Sequence, residues 1–231
     1  MAEVAEPRAN PPQSQAEAAV RILRHEVGDL LQTVYATAAL LQQRLPAGWE
    51  LERRILTEMR ARGEACRALL DQTHDLICPM SLMREPIHWG DVLGPLIAAA
   101  AKRHPALGIE PTWQTVPAVF ADAQRLDQVG RLILADVCES AASQVGMVLS
   151  SSSDAREVKW SVCRDGDAVP ADHLERYFRL GTMDVQGPCS IGMVLAGRIV
   201  QLHGGRILAE NRREGGLRIT VYLPASTEER N

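Results

Sequence analysis

The chain has 231 residues, of which 46% are hydrophobic and 23% charged, so it can bury one sizeable core or two modest ones. Its formal net charge of −4 argues against a nucleic-acid-binding protein, because such proteins are usually basic. The five cysteines form no CxxC pair, and neither a membrane span of roughly 18 apolar residues nor a signal peptide is visible, so we expect a cytoplasmic protein with reduced thiols.

The first 84 residues predict a short tail followed by a helical hairpin. Residues 1–13 are rich in proline and alanine, and we expect them to be disordered. A capping box that begins at Ser14 predicts the start of a helix, and Pro46 predicts its end after Leu45. Apolar residues recur along this helix at spacings of three and four and form one stripe: Val20, Leu23, Val27, Leu30, Val34, Ala38, Leu41 and Leu45.

His25 is the residue of this helix that points to chemistry. At about 100° per residue, its side chain lies almost opposite the centre of the apolar stripe, and Asp29 shares its face. An exposed imidazole beside a carboxylate can accept a phosphoryl group and pass it on. Taken alone, this helix favours the alternative of a solvated surface histidine, and it is the rest of the chain that favours the functional reading of His25.

A second helix is predicted from Trp49 to about Ile77, where Cys78-Pro79 ends it. It carries its own apolar stripe: Leu51, Ile55, Met59, Cys66, Leu69, Thr73 and Leu76. Two long helices joined by a short turn form an antiparallel hairpin, and one hairpin cannot cover its own apolar surface. We therefore predict that residues 14–84 pair with a second copy to form a homodimeric four-helix bundle.

Residues 85–225 alternate between short strand and helix patterns. Helices are predicted at 91–103, 123–142, 170–178 and 191–202, and strands at 109–116, 146–152, 157–163, 206–210 and 217–223. This order predicts an α/β sandwich with helices on one face of a mixed sheet, so the whole chain is assigned to the α+β class. Residues 226–231 are expected to form a second tail.

Six segments together resemble the core of a two-component sensor histidine kinase. RHEVGDLL is similar to the H-box of that family, and PIHWGDVLGPLI to the entry into its ATP-binding domain. VFADAQRLDQVGRLILADVCESA resembles the N-box helix, VKWSVCRDGDAVP the G1 box, LERYFRL the F-box, and IGMVLAGRIVQLHGGRILAENRREGGLRITVYLP the G2 helix with its closing hairpin. The resemblance implies a phosphoacceptor hairpin followed by an HATPase-like domain. It further implies His25 as phosphoacceptor, Glu26 as an adjacent acid–base group, and a response-regulator receiver domain as partner.

The N-box segment departs from the family pattern at residues that hold phosphate and magnesium. Two asparagines of the family correspond here to Leu132 and Asp136, and a lysine-like position corresponds to Glu139. Asp136 remains a candidate Mg²⁺ ligand because carboxylate oxygens suit this hard cation, whereas Leu132 cannot ligate a metal. Glu139 would place a further negative charge near a triphosphate, which is unfavourable.

The two glycine-containing loops of the expected ATP pocket are also altered. Arg164 stands where the family has an aspartate that accepts a hydrogen bond from adenine, and arginine offers only donors. A one-residue shift would give this role to Asp165, which Gly166 follows. In the G2 box Gly192 stays in register, but Pro188 replaces a backbone donor with a ring.

Three functions remain open at this point. The eroded pocket favours a relay phosphotransferase that carries phosphate on His25 and has weak or lost ATP binding. An ATP-dependent histidine autokinase would instead use Asp136 for Mg²⁺ and Asp165 for adenine. A non-catalytic dimeric scaffold or regulator would leave His25 inert. Asp29 lies on the surface around His25 and is a candidate for receiver docking or for hydrolysis. Family members with phosphatase activity often carry threonine or asparagine at this position, so Asp29 departs from their pattern.

Overall fold

The structure is a computed structural model that describes residues 12–46, 48–180 and 190–226. The chain divides into two compact units, Met1–Met80 and Ser81–Asn231. The two expected tails, residues 1–13 and 226–231, lie almost entirely outside the described residues. No helix among the described residues is both long enough and apolar enough to cross a membrane.

The first unit is a hairpin of two long helices, α1 (Pro12–Arg44) and α2 (Glu50–Ile77). Each of these segments forms an amphipathic helix, because apolar residues spaced three and four apart lie on one side of a helix. The helices approach closely at Gly63, where a Cβ atom would lie only 2.7 Å from Cε1 of Tyr35. At the connection, the Arg53 guanidinium donates a hydrogen bond of 2.7 Å to the carbonyl of Leu45. This bond satisfies a carbonyl that the end of α1 leaves without a helical partner.

Much of the apolar surface of the hairpin is left exposed by the described residues. Large apolar side chains of this unit are between 37% and 67% exposed: Ile22, Leu23, Leu30, Val34, Leu40, Leu41, Trp49, Leu51, Ile55, Met59 and Leu69. Soluble proteins rarely leave a continuous apolar surface of this size exposed. The hairpin therefore presents an unpartnered apolar face.

The second unit contains two sheets. Its strands are β1 (Glu85–Ile87), β2 (Gly108–Trp113), β3 (Val119–Ala121), β4 (Gln144–Ser151), β5 (Glu157–Arg164), β6 (Arg206–Asn211) and β7 (Leu217–Pro224). Five of them form a sheet of order β2-β4-β5-β7-β6, in which β2 is parallel to β4 and the other pairs are antiparallel. The remaining pair, β1 and β3, forms a small antiparallel sheet.

A layer of helices covers the five-stranded sheet. The unit contains α3 (Trp89–Arg103), α4 (Ala123–Ser140), α5 (Ala171–Glu175) and α6 (Ile191–Leu202). Of these, α3, α4 and α6 pack against one another and against strands of the sheet. The rings of Trp89 and Trp160 meet edge to face across this interface with their centroids 5.8 Å apart. The predicted α+β class, with helices beside a mixed sheet, is confirmed.

Several details differ from the elements expected from the sequence. Helix α1 begins at Pro12, so the capping box at Ser14 does not mark its start, and residues 12–13 belong to the helix and not to the expected tail. The β1–β3 sheet was not predicted, because three-residue strands, one of which contains Pro86, are too short to show an alternating pattern. The helix expected at 170–178 is shorter and ends at Glu175. The residues that follow it include Tyr177, whose side chain reaches α4.

Candidate functional site

His25 lies on α1 with its imidazole directed to solvent. Its side chain is 75% exposed, and Nδ1 lies 3.2 Å from Oδ2 of Asp29, one helical turn further on. A carboxylate at this distance favours the tautomer that carries its proton on Nδ1. The lone pair of Nε2 then remains available to an electrophile from solvent.

The carboxylate beside the imidazole belongs to Asp29 and not to Glu26. Among the ion pairs of the described residues, His25 is joined to Asp29, whereas Glu26 is exposed and forms none with it. Adjacent residues on a helix point about 100° apart, so Glu26 projects away from the side of the ring that Asp29 contacts. The acid–base role expected for Glu26 stays a prediction, and Asp29 gains a role in orienting the ring.

A polar groove of about 390 Å³ lies beside His25, between α1 and α2. Its walls carry three arginines and two aspartates in addition to His25: Arg21, Arg24, Arg67, Asp29 and Asp71. Nε of Arg24 lies 3.9 Å from Oδ1 of Asp71, which is a loose ion pair between half-exposed groups. The sequence did not identify Arg21 or Arg67 as site residues, because a single sequence does not show which faces of two helices meet.

In the second unit, the expected Mg²⁺ ligand is already engaged. The hydroxyl of Tyr177 donates a hydrogen bond of 2.5 Å to Oδ2 of Asp136, on α4. Burial raises the pKa of Asp136 above its ordinary value, although the Tyr177 hydrogen bond and the charge of Arg164 act in the opposite direction. The pKa of Tyr177 is also raised, chiefly by burial. Burial thus disfavours the charged form of both groups, which is the form that a metal ligand requires.

Arg164 is built into the loop at the end of β5. Its side chain is only 7% exposed, and Nη1 donates hydrogen bonds of 3.1 Å to the carbonyls of Asp165 and Asp167. Its Nε is buried without a hydrogen-bond partner among the described residues. A donor group therefore stands where the resemblance would place an acceptor for adenine.

The alternative adenine acceptor, Asp165, performs a structural task. Its carboxylate accepts hydrogen bonds of 3.0 Å from the backbone N–H groups of Ala142, Ser143 and Gln144, and a further one from the Ser143 hydroxyl. These bonds hold its pKa far below the ordinary value. Asp165 thus ties the α4–β4 connection to the end of β5. These four bonds compete with the adenine-binding role that a one-residue shift suggested for Asp165, and that role stays a prediction.

The two glycines expected in the pocket, Gly166 and Gly192, lie in a turn and in a helix respectively. Gly166 has a φ of +98°, a left-handed conformation that favours glycine, in the turn after Asp165. Gly192 is buried in the first turn of α6. Gly187 and Pro188, which belong to the same loop, lie outside the described residues.

These residues do not fit a bound Mg²⁺–nucleotide. Among the described parts of the chain, no group of three or more His, Cys, Asp or Glu side chains could hold a metal ion. The single carboxylate expected to do so, that of Asp136, is hydrogen-bonded to Tyr177. The side chains of both candidate adenine-binding residues, Arg164 and Asp165, are hydrogen-bonded to backbone groups. The described side chains expected to bind the nucleotide are therefore engaged with other groups of the chain.

Comparisons with known proteins find similar proteins whose matches extend over both units of the chain. Residues 121–227 match the family described as histidine kinase-, DNA gyrase B-, and HSP90-like ATPase. The sensor histidine kinase ZraS of Escherichia coli O157:H7 is 23% identical over 206 residues, which is 87% of this chain and 44% of ZraS. The chain thus spans less than half of the length of this curated relative.

Solved structures share the fold. Full-length ShkA, crystallised in complex with AMPPNP, superposes with a TM-score of 0.74 at 21% identity and covers 91% of this chain, which corresponds to 46% of ShkA. The mycobacterial sensor histidine kinase MprB superposes with a TM-score of 0.55 at 18% identity over 62% of this chain and 98% of the MprB chain.

Proposed function

The chain has the core of a histidine kinase, with an HATPase-like domain, and on this premise we propose that it carries a phosphoryl group on His25 and exchanges it with an aspartate of a response-regulator receiver domain. The observation that carries the proposal is the exposed imidazole whose Nδ1 faces Asp29 at 3.2 Å. Nε2 attacks the phosphorus of the receiver's acyl phosphate, a P–N bond forms, and the P–O bond to the aspartate breaks. The aspartate leaves as a carboxylate, and the reverse reaction returns the phosphoryl group.

Asp29 supports this exchange through the other ring nitrogen. When Nε2 is phosphorylated, the ring gains positive charge while Nδ1 keeps its proton, and the Asp29 carboxylate, 3.2 Å from Nδ1, stabilises that charge. The same contact orients the ring before reaction. Asp29 is therefore a positioning residue for His25.

The working unit in this proposal is a homodimer. The exposed apolar face of the hairpin needs a partner of the same character, and a second copy supplies one with matching length and spacing. Two hairpins then form a four-helix bundle, and His25, almost opposite the stripe on α1, stays accessible to a receiver domain.

We propose that ATP binding is weak or lost. The buried Arg164, the Tyr177–Asp136 hydrogen bond and the occupied carboxylate of Asp165 each support this view. Phosphate would then enter from a receiver domain and leave to another one, so the chain would act as a relay.

A second candidate function is ATP-dependent autophosphorylation of His25. It is favoured by the family match over residues 121–227 and by the fold shared with ShkA, which was crystallised with AMPPNP. For this reaction Tyr177 would have to release Asp136, and the loop around Arg164 would have to rearrange.

Two labelling experiments separate these functions. Receiver domains from the same organism, each labelled on its aspartate, are mixed with the protein, and in parallel the protein is incubated with labelled ATP and Mg²⁺. A relay accepts label from at least one receiver and none from ATP, and His25→Ala abolishes the transfer. Label from ATP that depends on His25 establishes the autokinase. If neither source labels the protein, His25 is inert and the proposal fails.

A further inference from the structure

The groove between α1 and α2 is an electrostatically unbalanced cavity next to His25. Three arginines and two aspartates line it, so its formal balance is positive when His25 is neutral. Asp29 is already directed to Nδ1 of His25, and Asp71 lies 3.9 Å from Arg24. Two cationic side chains, Arg21 and Arg67, are left over.

Neither of these two guanidinium groups has a partner within the part of the chain that the structure describes. Each offers five N–H donors in a planar fork, a geometry that matches two oxygens of a phosphate. Arg21 lies one turn before His25 on α1, and Arg67 reaches the same cavity from α2. The cavity thus receives donors from two sides.

Gly28 keeps the groove open. It lines the cavity one turn after His25, and a Cβ atom at this position would meet nothing within 4 Å. A glycine in the middle of a helix costs about 1 kcal/mol relative to alanine, so the residue that leaves this space open also destabilises the helix. At about 100° per residue, Arg21 and Gly28 also lie roughly 130° around α1 from the centre of the apolar stripe. Covering the stripe with a second copy therefore leaves the groove accessible.

From these observations we infer that the groove is a phosphoryl-binding site in which Arg21 and Arg67 hold the oxygens of the group that forms a bond with Nε2 of His25. The inference rests on the proposed function of His25, since it assigns the residues that stabilise charge during that transfer. Bound oxyanions that develop charge are stabilised best by donors already in place, and both arginines stand there in the free protein. They are positioning and charge-stabilising residues for the transfer.

The first test measures anion binding without any chemistry. Inorganic phosphate is titrated into the full chain while the NMR signals of the His25 imidazole are followed. We expect saturable shifts in the wild type, and an affinity at least about tenfold weaker in Arg21→Gln/Arg67→Gln, because two charge-assisted contacts are lost. Gly28→Leu keeps both charges and fills the cavity, so it should weaken binding as well. The matched control, Arg54→Gln/Arg60→Gln, removes two exposed arginines of α2 that lie outside the groove.

The second test uses phosphoramidate, a chemical donor whose P–N bond breaks as ammonia leaves and the new P–N bond to Nε2 forms. The expected result is phosphorylation of His25 at a rate that falls about tenfold or more in Arg21→Gln/Arg67→Gln and stays unchanged in the control pair. Helix content by circular dichroism confirms that each variant folds.

The outcomes of these tests distinguish the inferred phosphoryl-binding groove from the proposed function of His25. Equal phosphate affinity in the groove and control variants, or no saturation in the wild type, overturns the inference. Phosphorylation of His25 at equal rates in all variants also overturns it and leaves the proposed function intact. Phosphate binding that depends on Arg21 and Arg67, with no label on His25 from phosphoramidate, from any receiver domain or from ATP, establishes the anion site and refutes the proposed function.

Discussion

The hydroxyl of Tyr177 donates a hydrogen bond of 2.5 Å to the Asp136 carboxylate, across 41 residues of sequence. This contact joins the segment after α5 to the middle of α4 and occupies the only described carboxylate that was expected to bind Mg²⁺. The hydrogen bond therefore competes with any ligand of the Asp136 carboxylate. Its consequences can be measured without any nucleotide.

Asp136→Asn is expected to raise the melting temperature at about pH 7. Burial raises the pKa of Asp136 in the folded state, so its stabilising contribution is present below the unfolded pKa of about 3.9 and is lost as the pH rises through the folded pKa. Asparagine can still accept the Tyr177 hydrogen bond and carries no charge to desolvate. The difference from wild type should therefore shrink as the pH falls towards about 4. Thermal unfolding followed by circular dichroism between these pH values tests this, with Asp167→Asn in an exposed loop as control. A lower melting temperature for Asp136→Asn at both pH values would contradict the prediction.

Asp29→Asn should slow phosphoryl transfer to and from His25 by about 10- to 100-fold, because the ring loses the charge that stabilises its phosphorylated form. Glu26→Gln should have a smaller effect on transfer from a receiver, since Glu26 makes no ion pair with the imidazole. Single-turnover transfer from a labelled receiver measures both rates. Asp29→Glu, which restores a carboxylate with a longer reach, should recover part of the rate. A larger loss in Glu26→Gln than in Asp29→Asn would assign the acid–base role to Glu26 instead.

Gly63→Ala and Gly28→Ala should have opposite effects on the stability of the hairpin. The new Cβ at Gly63 would lie 2.7 Å from Cε1 of Tyr35, and overpacking of this kind costs about 1–3 kcal/mol. The new Cβ at Gly28 meets nothing within 4 Å, so the gain in helix propensity of about 0.5–1 kcal/mol is retained. Chemical denaturation followed by circular dichroism gives both values. Equal changes in the two variants would show that the helices do not meet at Tyr35 and Gly63.

Leu30→Glu/Leu51→Glu should convert a dimer into a monomer. Both side chains belong to the exposed apolar face of the hairpin, and burying two carboxylates in an interface without partners is strongly unfavourable. Analytical ultracentrifugation should show the dissociation constant rising by about 100-fold or more relative to wild type. Leu208→Glu replaces an apolar residue of the second unit that is also exposed, and this variant should remain dimeric. A wild-type chain that is monomeric at all concentrations would remove the basis for the bundle.

The helices and most strands were predictable because each carries its period in the local sequence. The bounds of α6, Ile191–Leu202, follow directly from its apolar run between Ser190 and His203-Gly204. The exposure of His25 was predictable for the same reason, since the position of the ring depends on one helix only. The spacing of apolar residues within one helix or strand does not predict its contacts with other elements.

The remaining features depend on contacts between distant residues. The Tyr177–Asp136 bond spans two elements, and the four bonds to Asp165 come from a connection more than 20 residues earlier in the chain. The arginine groove requires the relative rotation of α1 and α2. None of these relationships leaves a pattern in a single sequence.

The buried guanidinium of Arg164 has a consequence for any redesign of the loop after β5. Restoring an adenine acceptor there by Arg164→Asp would strand the carbonyls of Asp165 and Asp167 without donors and set a third carboxylate among them. The loop would lose its internal scaffold before any ligand arrived to replace it. An acceptor at this position would therefore need new donors for both carbonyls, which a single substitution at Arg164 does not supply.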